Sequence, residues 1–540
     1  MKLKCLALTI LSAGCTFLAI PNELFLYGNP LFGCFCLVPF FLTVYLSPSR
    51  RYASLMGLLF GVLTTLFSYY WLAYFQEFSV WTITGTTLGY AVYYALLAPF
   101  LYRFREAPAA YRPALFAAAF TVFEYFKAMG YLGFPWGLMA YPFAGLIPFI
   151  QIADITGVWG VSFIVLLLQA TITEAVYAGG FGFSSSAVRH RIRGFFGKLR
   201  ITRPASPLTA QAAVSVSLIV LAVIYGSYRL NAGIPITKNA RMIMVQQNID
   251  SWVGGNEVES LVRGQRLTRE GMRRSGSPVD LVLWSETSFR RPYLEYRSFY
   301  ESRPAGDPFV GFVREMGAPF LVGSPFLLED GGALNAVILI GPDGEIREHY
   351  GKQHPVPLAE HVPFWEIESV RNFFQNVIGL YSAGWTVGNR YTLFTVPLRG
   401  SDETVTFGAP ICFEDAFPYI NRLFVKKGAE VLVNLTNDSW SRQDSSQTQH
   451  YIAALFRSVE TKRTMVRSTN SGVTAVIDPY GRKTAGLPFF EEAVLVYDVP
   501  VYDDGKLTPY TRFGDYFPYG LMILLIGALI GMRISSGRSR

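Results

Sequence analysis

Charge is scarce in this chain: Asp, Glu, Lys and Arg make up 16% of 540 residues, where a soluble protein carries about 25%. Hydrophobic residues fill 51%, and the mean hydropathy is +0.28. That balance excludes an ordinary soluble globule and points to membrane segments. Cysteine is scarcer still. Cys5, Cys15, Cys34 and Cys36 lie in apolar N-terminal stretches, and Cys412 stands alone in the polar half, so no disulfide can form within that half. Histidine is limited to His190, His349, His354, His361 and His450. His354 and His361 are seven apart, which fits no helical pair of metal ligands, so neither a metal nor another cofactor is expected. A phosphate-cradling Gly loop, a fixed-period repeat and a low-complexity tract are also missing.

A span needs roughly 20 mostly apolar residues. Eight runs qualify as candidates: Cys5–Ile20, Leu31–Leu46, Ala53–Tyr74, Leu88–Leu101, Ala114–Met129, Ile152–Tyr177, Ala213–Tyr228 and Phe517–Met532. The first reads as a span rather than a cleaved signal peptide, because no A-x-A-like site follows it. Net charge is +8, which could serve nucleic acid, but its distribution argues otherwise. Alternate connections carry Lys2, Lys4, Arg50, Arg51, Arg103, Arg105 and Arg112, then six basic residues from Arg189 to Arg203, then Arg533, Arg538 and Arg540. The short connections Pro21–Pro30, Phe75–Thr87 and Gly130–Gln151 carry none. This asymmetry predicts both termini on the cytoplasmic side and the long polar segment outside, and it removes the nucleic-acid reading. Glu124 and Lys127, at i and i+3 near the outer end of the fifth run, can pair across one helix face. They read either as a functional pair or as an interfacial brace.

From Arg241 to Val501 short apolar runs alternate with Gly, Pro, Asp and Asn, a strand signature. Strands are expected at Arg241–Gln246, Leu281–Ser285, Phe320–Phe326, Ala336–Ile340, Val405–Ile411, Val431–Leu435, Gly472–Ile477 and Val494–Val499. Helices are expected at Glu257–Arg274, Phe309–Met316 and Gln447–Lys462. The expected organisation is a membrane domain over residues 1–228, a linker over 229–240, an α/β or layered α+β domain over 241–505 and a last span over 516–533.

Three residues stand at the ends of strand-like runs, where rigid scaffolds often present site residues. Cys412 follows Val405–Ile411 and precedes Phe413-Glu414-Asp415. An unpaired cysteine there is either an inert buried thiol or a nucleophile, and its polar flank favours the latter. Glu286 ends Leu281–Ser285 and could act as a general base beside Trp284, or could simply face water. Lys352 precedes the Pro-rich Gln353-His354-Pro355-Val356-Pro357, which could fix it as an oxyanion partner, although alone it would more often be a solvated lysine. A Cys–His hydrolase using one of the four non-cytoplasmic histidines is the rival, and no spacing selects among them.

The ordered set Glu286, Lys352, Cys412 resembles the Glu-Lys-Cys arrangement of the nitrilase superfamily. Together with seven preceding spans and one following, the chain resembles the bacterial apolipoprotein N-acyltransferases. The matching segments include Phe123-Glu124-Tyr125 with Gly133-Phe134-Pro135-Trp136, Val245-Gln246-Gln247-Asn248-Ile249, Trp284-Ser285-Glu286-Thr287 and Tyr350-Gly351-Lys352-Gln353-His354. They continue with Val356–Pro363, Ile411-Cys412-Phe413-Glu414, Asn437-Asp438-Ser439-Trp440, Arg467–Gly472 and Leu507-Thr508-Pro509-Tyr510. The resemblance implies a polytopic α-helical membrane bundle of eight spans in a bacterial inner membrane, with an extracytoplasmic nitrilase-like α-β-β-α sandwich. It implies Glu286 as base, Lys352 as oxyanion stabiliser, Cys412 as nucleophile, Glu360 as a second essential carboxylate and Glu414 as a supporting residue. Asn335 matches a family Asn ahead of the strand before the Lys loop, and Trp252 a family Trp near the entrance. Phe413 stands where the family usually has Tyr, so a phenol hydroxyl is absent there. The implied reaction moves an acyl chain from a phospholipid, through a Cys412 thioester, to the α-amine of a diacylglyceryl-cysteine apolipoprotein. A monomer suffices, since nothing in the sequence demands an oligomer. The alternatives are a membrane-tethered amidase using water, which the triad alone does not separate, and a transporter, which would spread polar residues through several spans.

Overall fold

The computed structural model describes residues 1–75, 79–179, 207–250 and 253–538. Every apolar run expected to span falls on helix. Five helices are long and apolar enough to cross a membrane: Lys2–Ala19, Arg50–Ser68, Val158–Ala178, Pro207–Ala232 and Tyr516–Ile534. Several runs depart from the expected bounds for local reasons. The run Leu31–Leu46 is split into Pro30–Gly33 and Val38–Leu46, with Pro39 in the first turn of the second piece, where its missing N–H costs nothing. The run Ile152–Tyr177 breaks at Gly157, whose φ of +68° no helix tolerates, so the long helix begins at Val158. The fifth run forms a helix of 16 residues, Arg112–Lys127. Of the basic residues that predicted orientation, those from Arg189 to Arg203 and Arg540 lie outside the described residues.

Close packing holds this half together. A Cβ at Gly57 would stand 2.2 Å from the carbonyl oxygen of Tyr94, and one at Gly61 2.5 Å from that of Tyr90. The two glycines, four apart, let helices 50–68 and 79–104 approach backbone to backbone, the small-residue packing common where lipid supplies no hydrophobic drive. Phe40, Phe60 and Tyr94 fill the space beside them, with ring centroids 4.5 and 4.9 Å apart. Glu124 and Lys127 both brace the loop that follows. Glu124 Oε1 accepts the Met139 N–H at 2.7 Å, and Lys127 Nζ donates to the Trp136 carbonyl at 2.8 Å.

The polar half is two six-stranded sheets packed face to face. The first comprises β1 (Ile236–Gln246), β2 (Leu281–Trp284), β3 (Phe320–Leu327), β4 (Ala333–Ile340), β5 (Ile346–Gly351) and the last strand, β12 (Ala493–Tyr502), in the order β12-β1-β2-β3-β4-β5. The second comprises β6 (Leu393–Pro397), β7 (Thr404–Gly408), β8 (Val431–Thr436), β9 (Thr464–Thr469), β10 (Ala475–Ile477) and β11 (Lys483–Gly486), in the order β11-β10-β9-β8-β7-β6. Each has three parallel central strands flanked by antiparallel ones. Alternation along β1 and β2 divides the core: Met242, Met244, Leu281 and Leu283 face the other sheet, whereas Ile243, Val245, Val282 and Trp284 pack under helices Asn256–Ser275 and Phe309–Met316. Helices Pro418–Lys426 and Asp444–Thr461 cover the second sheet, completing an α-β-β-α order. The linker expected at 229–240 is shorter, because helix Pro207–Ala232 runs on and β1 already begins at Ile236. The last helix extends past the expected 533 to Arg538.

Helix Asp444–Thr461 is polar yet buried from Ser445 to Thr461. It is caught between the second sheet and the helical half. Trp71 Nε1 donates to Gln449 Oε1 at 3.2 Å, Gln449 Nε2 donates to the Pro21 and Ser68 carbonyls, and the Val158 N–H donates to Glu460 Oε1 at 2.8 Å. The catalytic-looking domain is thereby seated on the apolar half through its buried polar side chains.

Candidate active site

Glu286, Lys352 and Glu360 come together where β2, β5 and the Pro-rich loop end. Lys352 Nζ lies 3.1 Å from Glu286 Oε1 and 2.9 Å from Glu360, with its side chain 2% exposed. Asn335, placed within β4 rather than ahead of it, donates from Nδ2 to Glu286 Oε1 at 2.9 Å and to Glu360 Oε1 at 3.0 Å. The second oxygen of each carboxylate takes a backbone N–H, from Asn437 onto Glu286 at 3.0 Å and from Val356 onto Glu360 at 2.6 Å. Each carboxylate therefore has a fixed orientation and remains an acceptor.

Cys412 begins the short turn Cys412–Ala416 with φ +47°, the left-handed region that a β-substituted residue occupies only when its surroundings hold it there. The holding groups are visible. Asn434 Nδ2 donates to the carbonyls of Pro410 and Cys412 at 3.1 Å each, and Ile411 bridges Leu435 of β8. Glu414 ties the same turn to the lysine loop. It accepts from the N–H groups of Ile411, Gln353 and His354 and from the Tyr350 hydroxyl, at 2.7, 2.7, 3.1 and 2.9 Å. Burial raises its carboxyl to about 7.

Burial also pushes the Cys412 thiol well up, and the Glu286 carboxylate pushes it further, while Lys352 opposes both. Burial pulls the Lys352 ammonium down, but Glu286 and Glu360 outweigh it and hold the group above its ordinary value. The resting site is thus a protonated thiol facing an acceptor-only carboxylate and a cation. That arrangement can take a thiol proton as the sulfur attacks and can stabilise an oxyanion. His354 sits beside it but is held neutral, its pKa lowered to about 4 by burial and then by Lys352. His349 stacks on Phe326 at 3.8 Å, and His361 faces the Trp385 carbonyl at 2.8 Å. Among the described residues no cluster of three His, Cys, Asp or Glu could hold a metal ion. Trp252 lies outside the described residues.

Phe413 turns toward the helical half. Its ring stacks on Trp136 at 5.2 Å, and Trp136 stacks on Phe134 at 4.8 Å. Gly323 explains how Glu286 reaches its place: a Cβ at 323 would stand 2.5 Å from Glu286 Cα and from Thr287 N. Gly323→Ala should therefore displace the Glu286 backbone and cost about tenfold or more in activity, the scale of a misplaced reacting group. The check is turnover alongside an unchanged melting profile; full activity would show that the strand ends can part without consequence.

The N-terminal domain of apolipoprotein N-acyltransferases matches residues 12–171, and the carbon-nitrogen hydrolase domain matches residues 244–503. Apolipoprotein N-acyltransferase 2 of Treponema pallidum (strain Nichols) is 38% identical over 529 residues, covering 92% of this chain and 89% of its own. The protein of the same name from Treponema denticola is 36% identical over 511 residues, covering 94% and 93%. Apolipoprotein N-acyltransferase of Borreliella burgdorferi is 29% identical over 539 residues, covering 97% and 95%. With both domains in order and such relatives matched over more than nine-tenths of its length, the chain belongs to the apolipoprotein N-acyltransferases and is an acyltransferase of the nitrilase superfamily.

Proposed function

We propose that this protein transfers an acyl chain from a membrane phospholipid to the N-terminal α-amine of diacylglyceryl-cysteine apolipoproteins, in two steps through a thioester on Cys412. The eight helical runs serve as eight spans, with both termini cytoplasmic and the two-sheet domain outside, because the basic residues crowd alternate connections. The observation that carries the reading is the stack of Phe413 on Trp136. It seats the residue next to the nucleophile on the apolar half, where acyl chains of donor and acceptor lie, so both substrates reach the thiol at high effective concentration. A soluble amidase has no use for such a seat.

In the first step Glu286 takes the thiol proton as sulfur attacks the ester carbonyl, and Lys352 stabilises the charge on its oxygen. The tetrahedral adduct expels the glycerol oxygen, which receives the proton from Glu286 and leaves as lysophospholipid. In the second, the neutral amine attacks the thioester, its proton passes to Glu286, and the sulfur leaves and regains that proton. Glu360 and Asn335 hold Lys352 and Glu286 in place, Glu414 holds the lysine loop to the cysteine turn, and Phe413 holds that turn to Trp136.

Incubating the protein with labelled phospholipid alone should leave a hydroxylamine-sensitive adduct on Cys412, absent from Cys412→Ala. A diacylated lipopeptide with a free amine should discharge it, and an N-blocked one should not. Lysophospholipid released continuously without acceptor would establish a hydrolase using water instead, and an active Cys412→Ala would remove the nucleophile assignment.

A further inference from the structure

Beneath the Cys412 turn lie four ionisable side chains that the mechanism does not use. His450 Nε2 is 2.7 Å from Asp415 Oδ1, and His450 Nδ1 is 3.0 Å from both oxygens of Asp438. Arg467 donates to Asp415 Oδ2 and lies 3.5 Å from Asp438 Oδ2. The four close a ring, Asp415–His450–Asp438–Arg467, with no member more than 6% exposed. His450 therefore stands between the two carboxylates, with Nδ1 on Asp438 and Nε2 against Asp415. The Arg467 guanidinium faces the same two carboxylates, which is how buried charge is tolerated.

The position of the two carboxylates gives the ring its meaning. Asp415 is in the Cys412 turn, three residues after the nucleophile. Asp438 adjoins Asn437, whose N–H fixes Glu286 Oε2. His450 comes from the buried helix against the apolar half, with its ring 5.5 Å from Trp136, and Arg467 comes from β9. The ring therefore ties the turn that holds the thiol to the loop that holds its proton acceptor.

We propose that His450 is a positioning residue for acyl transfer: held between Asp415 and Asp438, it sets the separation of Cys412 and Glu286. The proposal rests on Cys412 as the nucleophile. The groups facing that thiol are Glu286, Glu360 and Asp438 on the negative side and Lys352 and Arg467 on the positive.

The test is alkylation of Cys412 by iodoacetamide across pH, read by peptide mass so that the other four cysteines do not interfere, with adduct formation from phospholipid measured in parallel. His450→Gln should lower the rate of Cys412 alkylation about tenfold, because Glu286 no longer stands where it takes the thiol proton, and slow adduct formation roughly a hundredfold, with KM for phospholipid little changed. An alkylation rate that does not fall in His450→Gln overturns the proposal, as does a slowing that merely follows loss of folded protein in a melting experiment. Alkylation needs no acyl donor, so a parent that forms no adduct would count against the thioester reading and leave this result standing or falling by itself.

Discussion

Lys352→Met should abolish adduct formation, a loss of at least ~10³-fold, because one side chain serves the charge balance of the whole site. Its ammonium is all but fully buried and lies about equally far from Glu286 and Glu360. Methionine fills the volume without the charge. Two carboxylates that share the Asn335 amide would then face each other unpaired, and one of them must hold a proton. A Glu286 that shares that proton is a poorer acceptor, and the developing oxyanion loses its cation at the same time. Removing one partner of a buried ion pair costs about 3–5 kcal/mol, so a lower melting temperature is expected too. Stability alone would not move the thiol, whereas loss of Lys352 should: the opposing positive charge is gone, and Cys412 alkylation shifts to higher pH. Folded protein that still forms adduct at a tenth of the parent rate would show that Lys352 is a structural counter-ion only.

The parts of this site that were legible in the sequence are those carried by side chains at the ends of apolar runs. Glu286, Lys352 and Cys412 each follow such a run, and the structure brings the first two into contact and sets the third where both act on it. Groups that act through the backbone left no such trace. Asn437 contributes its N–H to Glu286, and Val356 contributes its N–H to Glu360, and any residue but proline could do the same. The charged ring was hidden for another reason. Its members are spread from Asp415 to Arg467 across a turn, a loop, a helix and a strand, and only folding makes them neighbours.

Strand recognition failed where alternation is masked. β9 reads Thr464-Met-Val-Arg-Ser-Thr469 and is central and wholly buried, because Arg467 is paired inside the domain. β5, Ile346–Gly351, and β11, Lys483–Gly486, are edge strands with one wet face, so their composition resembles a loop. β6 is an edge as well, ending at Pro397, which an edge tolerates. The helix expected at Gln447–Lys462 is present as Asp444–Thr461, and its burial is explained only by the fold, where Gln449 and Glu460 satisfy backbone groups of the apolar half.

Glu360→Ala should lower acyl transfer by about tenfold to a thousandfold, the range of positioning and electrostatic effects, although Glu360 touches neither thiol nor acyl group in the proposed mechanism. It stands eight residues after Lys352, and its two oxygens accept from Lys352, from Asn335 and from the Val356 N–H. Its own carbonyl takes the Trp385 N–H at 2.7 Å, so the backbone there is fixed independently of the side chain. The alanine variant should therefore fold. Without the second carboxylate the ammonium is free to close on Glu286 alone, which ties up the proton acceptor in an ion pair and turns the cation away from the oxyanion. The thiol responds in the opposite direction. Glu360 is one of the negative charges that raise Cys412, so its removal should move alkylation to lower pH while acyl transfer falls. Lys352→Met moves the same profile upward while transfer also falls. Glu360→Gln keeps an acceptor for Asn335 and the Val356 N–H but loses the charge, and it should lie between the parent and Glu360→Ala in rate. Opposite alkylation shifts joined to parallel losses of transfer separate positioning of the cation from simple control of the thiol; near-parent turnover in folded Glu360→Ala would assign the residue to holding its loop alone.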